Sequence, residues 1–195
     1  MPQSPVTPVR LLEQDRPALE AHFTSLGRDD RRLRFGSQVA DETLKAYVAR
    51  IDIGQDGLFA VQDEALALVA VVHVAVTGEA AELGLSVLPG ARGRGLGNAL
   101  FRRAMTFLRN RGVREVFVHC LSENGAMMHL ARKNGMRIVY SGGESDARLE
   151  LQPATADSFV TEWLDDQHGR SIQALRRNLK LARAFLLIPD AAKVP

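Results

Sequence analysis

Arg92, Gly93, Arg94, Gly95, Leu96 and Gly97 stand between a strand-like apolar run and an amphipathic run. That order suits the binding of an anion. Glycines let a backbone approach a ligand and adopt positive φ. A helix N-terminus adds unpaired N–H groups and a partial positive charge, and together these cradle phosphate. Arg92 and Arg94 supply two flexible cations. Two other phosphate loops fail on spacing. G-x-G-x-x-G, counted from Gly93 and Gly95, ends on Asn98 rather than glycine, and a Walker loop needs a Gly-Lys-Ser/Thr run that is absent. The remaining pattern is Arg-x-x-Gly-x-Gly.

A carboxylate precedes this loop. Strand alternation over 81–88 puts Glu82, Gly84 and Ser86 on one face and Leu83, Leu85 and Val87 on the other. The small neighbours leave room beside Glu82, and a glutamate on a central strand is costly to bury unless paired or tuned. His73 shares a strand face with Val69, Val71 and Ala75, which predicts a core or cleft-wall histidine. His119 and Cys120 must face opposite ways, so only one of them sees a cleft. Ser122 and Glu123 follow at the end of that strand. His22, His119, His129 and His168 show no metal-ligand spacing, and no metal site is expected.

The strand LGLSVLP, the loop that follows it, and SENGAMMHLARKNGM after one further strand resemble the GCN5-related N-acetyltransferase (GNAT) family over residues 5–152. The resemblance implies a mixed α/β fold whose mostly antiparallel central sheet carries helices on both faces. It implies an acetyl-CoA-dependent N-acetyltransferase, with acetyl-CoA as co-substrate and no metal. Acetyl-CoA would lie in the splay between the 83–88 and 115–121 strands. Its pyrophosphate would rest on Gly93 to Asn98, with Arg92 and Arg94 among the cofactor-binding residues and backbone groups near Val87 and Leu88 pairing with pantetheine. Asn124 would lie near the pantetheine arm.

Ala131 departs from the family pattern, because it aligns with a tyrosine that often protonates the leaving thiolate. A thiol, with a pKa of about 8.5, is a fair leaving group without that help. An alkylammonium must still lose a proton before attack. Glu82 is the candidate general base. The AEL-G-L-S-V and RRLRFG segments resemble bacterial protein lysine acetyltransferases, whose N-terminal region lies beside the acceptor. The acceptor is thus expected to be a primary amine, either a protein lysine or a small molecule. Because Ala131 lacks a proton, a catalytically quiet acyl-CoA-binding regulatory module stands as the alternative.

The elements that must position these residues can be read from periodicity. Residues 6–12 read as a first strand. Asp15 is placed as an N-cap, Gly27 ends the first helix, and 28–36 reads as a basic turn with Phe35 packed inward. Asp41 starts a helix carrying Leu44, Tyr47, Val48 and Ile51. Strands follow at 58–62, 66–77 and 81–88, then the loop and a helix with Leu100, Ala104, Phe107 and Leu108 on one face. Another strand covers 115–121, a short helix follows SENG, and 136–141 pairs with 147–151. The acetyltransferase domain is set at 1–153 and a C-terminal helical extension at 154–195. Within 155–188 two helices split near Gly169 are expected, with Phe159, Val160, Trp163 and Leu164 in the first. The second carries Ile172, Leu175, Leu179 and Leu186 on one face and Arg176, Arg177, Lys180 and Arg183 on the other. The apolar stripe is expected to cover a sheet face or a dimer interface.

Composition sets the outer bounds. With 195 residues, 46% apolar and 25% charged, the chain can bury a core and is not a disordered or fibrous sequence. A net charge of +2 argues against bulk nucleic-acid binding, although the pI is about 9.0. One cysteine, Cys120, permits no internal disulfide. The N-terminus has no signal-peptide pattern, and the apolar stretch 65–76 is too short to span a bilayer. A soluble cytoplasmic protein with no membrane partner is expected, and a homodimer through Trp163 is compatible with the pattern.

Overall fold

A computed structural model of the chain describes residues 7–186, without the side chains of 176, 177 and 179–186. The faces assigned to Leu179, Leu186, Arg176, Arg177, Lys180 and Arg183 therefore lie outside the described residues. Seven strands form one sheet in the order β1-β2-β3-β4-β5-β7-β6. They are β1 (Val9–Arg10), β2 (Gly57–Gln62), β3 (Leu68–Thr77), β4 (Ala80–Val87), β5 (Glu115–Leu121), β6 (Arg137–Ser141) and β7 (Glu144–Glu150). Six helices accompany them: α1 (Arg16–Thr24), α2 (Arg28–Phe35), α3 (Asp41–Arg50), α4 (Leu96–Asn110), α5 (Gly125–Lys133) and α6 (Ala156–Leu186). The expected mixed, mostly antiparallel sheet with helices on both faces is observed.

Alternation along the central strands splits the core in two. Leu58, Ala60 and Val71 join Leu19, Phe23, Leu44 and Val48 of α1 and α3 on one face. Phe59, Ala70, Val72 and Val74 join Leu100, Phe101, Phe107 and Leu108 of α4 on the other. Both faces of β2 and β3 are thus covered, which is why their sequences read as nearly continuous apolar runs.

All pairings are antiparallel except β4 with β5, which runs parallel and spans only Ala80↔Glu115 to Glu82↔Phe117. Beyond Glu82 the two strands part. The ladder on the other side of β4 is complete: Leu88 N–H donates to Val69 O at 2.9 Å, in register with Ala70↔Val87. Main-chain groups alternate along an antiparallel strand. Those of Ser86 and Gly84 therefore face β3, and those of Leu83, Leu85 and Val87 face the gap.

Three expectations change. Residues 28–35 form a two-turn helix rather than a turn, closed by Gly36 at φ 77°. Asp15 stands at the N-cap of α1 as expected, but its side chain caps no α1 donor; its carboxylate accepts the Leu12 N–H at 2.9 Å and closes the preceding 3-10 turn. The C-terminal segment is one helix of 31 residues running through Gly169. A Cβ at Gly169 would sit 3.4 Å from Val9 Cγ1, an ordinary contact, so β1 packs against the helix at this glycine without a break in it.

Among the described residues the apolar stripe of α6 does not cover the sheet, and the face docked within the chain is the polar one. It meets α4 through Arg103 with Asp166, Arg111 with Glu162 and Asn110 with Ser158. Phe159, Trp163 and Leu164 point outward at 53%, 60% and 54% exposure. Arg103, only 3% exposed, supplies the reason. A buried guanidinium requires carboxylate partners, and the polar face of α6 provides them.

Candidate active site

The gap between β4 and β5 opens into a groove of about 410 Å³. Its floor is the open side of β4, from Leu85 to Val87. One wall is the loop leading into α4, with Gly93 at φ 73° and Gly95 at φ 75°. Gly95 is the N-cap of α4, and a side chain at this left-handed position would be strained. Leu96, Gly97 and Asn98 bring the first turn of α4 to the groove, so its unpaired N–H groups and positive end face an anion. Arg92 and Lys133 add charge to the lining. The other wall is α5, with Ala126, Met127, His129 and Leu130.

The sequence-predicted residues fall here as follows. Val87, Arg92, Gly93, Gly95, Leu96, Gly97, Asn98 and Asn124 line the groove. Leu88 and Arg94 do not. The Leu88 N–H is bonded to β3 and its side chain packs against the α1–α3 core, while Arg94 is exposed. Arg92 is held in place by two contacts: Nε donates to Val87 O at 3.1 Å and Nη2 pairs with Asp30 of α2. Asn124 caps α5, accepting the Met127 N–H at 3.0 Å, and donates to Leu33 O of α2 at 3.1 Å. Ala131 is wholly buried, so α5 presents no hydroxyl to the groove at that position.

Helix α2 lies across the mouth of the gap. Asp30 holds the glycine loop, and Arg32 and Leu33 hold the β5–α5 turn through Glu123 and Asn124. On its far side lies a second cavity of about 260 Å³. Glu82 and Gly84 of β4 form its floor, and Phe35, Tyr47, His73, His119 and Glu144 are among its walls. Arg34 lines both cavities. Glu82 is exposed, so its place on a central strand carries no burial cost.

A hydrogen-bonded chain that sequence reading missed closes the back of this cavity. Arg34 Nη2 donates to the Tyr47 hydroxyl at 3.1 Å, the hydroxyl lies 2.7 Å from His73 Nδ1, and His73 Nε2 lies 2.9 Å from Asp56 Oδ2. Burial alone would raise the Asp56 pKa, but hydrogen bonds from His73 and the Val76 N–H outweigh it and hold the carboxyl below its ordinary value. His73 is thus a cleft-wall histidine, as its strand face predicted.

The remaining ionisable groups have structural partners. His119 Nδ1 bonds Asp146 at 2.8 Å, which raises the imidazole pKa, with Glu144 adding to the effect. Cys120 faces the α4–α5 core, and burial pushes its thiol up, away from nucleophilic use. Glu123 is paired with Arg32, and the Ser122 hydroxyl donates to Glu144 O. His22 Nδ1 must donate to Leu68 O, so Nε2 accepts the Ser86 hydroxyl. Burial holds His22 below its ordinary pKa. Among the described residues no helix is long and apolar enough to cross a membrane.

Known proteins share this architecture. The GNAT domain of S. lividans PAT superposes with a TM-score of 0.64 at 17% identity, over 74% of this chain and 89% of that one. A phosphinothricin acetyltransferase from Sinorhizobium meliloti, solved with AcCoA, gives 0.61 at 13% identity, over 77% and 94%. Spermidine N-acetyltransferase from Vibrio cholerae, solved with CoA and spermine, gives 0.59 at 18% identity, over 74% and 95%. No curated protein sequence matches the chain. At these identities the superpositions establish a shared fold. The sequence profile described as the acetyltransferase (GNAT) family matches residues 18–136, which run from α1 through α5 and include the split sheet and the glycine loop. The chain therefore belongs to the GNAT family of acetyl-CoA-dependent N-acetyltransferases.

Proposed function

We propose that the protein moves an acetyl group from acetyl-CoA to a primary amine, with Glu82 as general base. The observation that carries this reading is the two-sided use of β4. Its main chain from Leu85 to Val87 opens on the 410 Å³ groove, and its Glu82 and Gly84 positions open on the 260 Å³ cavity. The groove residues fit coenzyme A: glycines at positive φ, a helix N-terminus, and Arg92 and Lys133 for phosphate. The Leu85 main chain and the Val87 N–H are suited to the pantetheine arm and the thioester carbonyl. Glu82 removes a proton from the acceptor ammonium, directly or through water, and the freed amine attacks the thioester carbon. The thiolate leaves without help from residue 131. A protein lysine or a small-molecule amine satisfies this scheme.

Coenzyme A release by wild type and Glu82→Gln tests it, alongside calorimetric binding of acetyl-CoA to both. The expected result is normal binding with turnover slowed at least ~10²-fold. Equal rates would remove Glu82 from the mechanism. The buried methyl of Ala131 favours one rival, a catalytically quiet acyl-CoA-binding module. Tight acetyl-CoA binding with no turnover on a broad amine panel would establish the rival.

We assign residues 1–153 to the acetyltransferase domain and 154–195 to a helical extension. The start of α6 at Ala156 and the family match ending at 136 support this division. The outward Phe159, Trp163 and Leu164 support a homodimer, which sedimentation of wild type against Trp163→Glu would check.

A further inference from the structure

Arg34 lines both cavities, and among the described residues it has no carboxylate partner. Arg31 pairs with Asp41 and Arg32 with Glu123, whereas no described carboxylate pairs with Arg34. Its Nε is buried without a hydrogen-bond partner. A buried donor left unpaired is costly, and a guanidinium offers five donors in a fork matched to a carboxylate.

The guanidinium is nonetheless held firmly. It lies against β4 at Gly84, where a Cβ would fall 2.1 Å from Nη2, so only glycine leaves this space. Phe35 stacks with it at 4.8 Å, and Phe23 and Tyr47 lie at 5.9 Å. The Tyr47–His73–Asp56 chain fixes one of its prongs. The Asp56 carboxylate can only accept, so His73 Nε2–H donates to it, and the Tyr47 hydroxyl bridges His73 Nδ1 and Arg34 Nη2. The chain engages Nη2 through the Tyr47 hydroxyl and leaves Nε without a partner.

We propose that Arg34 is a carboxylate site. The acceptor is then an amino-acid-like molecule whose carboxylate Arg34 holds while its amine faces Glu82. This rests on reading the 260 Å³ cavity as the acceptor pocket. Glu82 and Gly84 are two residues apart on one strand face, about 6.6 Å. With the guanidinium lying against Gly84 and Glu82 the next residue on the same face, a short carbon spacer between amine and carboxylate suits the site. A protein lysine side chain has no such carboxylate and is disfavoured.

Glycine, β-alanine and 4-aminobutyrate, each against its own amide, provide the test with acetyl-CoA as donor. Wild type is expected to prefer at least one acid over its amide by at least ~10²-fold in kcat/KM, because a site built for a polar group rejects the analogue that lacks it. In Arg34→Met that ratio is expected to collapse to within about 3-fold. Gly84→Ala, which displaces the guanidinium without altering Arg34, should lower the same ratio. Should Arg34→Met fail to fold by thermal melt, Arg34→Lys keeps the charge but loses the fork, and at least a ~10-fold fall in the ratio is expected.

Calorimetric binding of N-acetylglycine against N-acetylglycinamide, with CoA present, reads the site without turnover. Arg34-dependent binding of the acid with no turnover on any amine would sink the catalytic reading and leave the carboxylate site standing. Equal use of acids and amides by wild type, or a preference that survives Arg34→Met, overturns the proposal. An Arg34-dependent preference for succinyl-CoA over acetyl-CoA, with glycinamide as acceptor, would place the carboxylate on the acyl group and overturn the assignment to the acceptor.

Discussion

The two cavities beside β4 are built from different materials. The 410 Å³ groove is made largely of backbone: an open strand edge, two glycines at positive φ and the first turn of α4. The 260 Å³ cavity is made of side chains drawn from α2, α3, β3, β4, β5 and β7. A backbone site binds what every member of a family shares and tolerates substitution at many positions. A side-chain site sets which partner is accepted, and single substitutions rewrite it. The arrangement suits an enzyme with a common donor and a particular acceptor.

This contrast can be broken at either cavity. The largest effect is expected from Glu82→Gln, which should lower kcat at least ~10²-fold and leave the acetyl-CoA Kd unchanged. A shift in both would mean that the cavities are not separable. The converse change is Gly95→Val, which strains a left-handed N-cap at a cost of about 1–3 kcal/mol. It should weaken acetyl-CoA binding about 10-fold by calorimetry, with the order of preferred acceptors unchanged. Tyr47→Phe removes the hydroxyl that anchors Arg34. It is expected to raise the acceptor KM about 10-fold, in line with the loss of a charged hydrogen bond, with little change in acetyl-CoA binding. A larger change in acetyl-CoA affinity than in acceptor KM would put Tyr47 on the wrong side of the comparison.

The smallest effect concerns His22, which pins Ser86 beneath the groove. Burial lowers its folded pKa, so the folded state resists a proton that the unfolded chain accepts near 6.5. Its contribution is present above that pH and is lost as pH falls through the folded value. The melting temperature should drop between about pH 7.5 and about pH 5.5 in wild type, and this slope should be shallower in His22→Gln. Parallel slopes would show that other groups govern the acid side.

What the sequence allowed one to read follows the same division. The glycine loop, the strand before it and the helix after it are contiguous, and local φ preference with 3.6-residue periodicity encodes them directly. Hence Gly93, Gly95 and Asn98 could be placed from local signal, while Val87 came from the family resemblance. The Arg34–Tyr47–His73–Asp56 chain joins residues 13, 26 and 17 positions apart, and no local pattern announces such pairings. Helix α2 was missed for a related reason. RDDRRLRF has scarcely any apolar stripe, and contacts with Asp41, Glu123, Asp30–Arg92 and Gly84 hold it instead. For α6, apolar spacing gave the helix but not the polar face that docks on α4. The usable signal was Arg103, a charge within the apolar face of α4 that demanded an acidic partner elsewhere.

The split of β4 from β5 has a consequence for how such a protein can change over generations. One strand faces its backbone toward the first cavity and its side chains toward the second, with a strict period of two. Losing or gaining a single residue between Ala80 and Val87 would rotate every later position by half a turn and exchange the two sets of groups. Divergence along this stretch is therefore confined to replacement of one side chain by another. New acceptors can be acquired by point mutation at constant length, while length variation is left to the segments outside the strand.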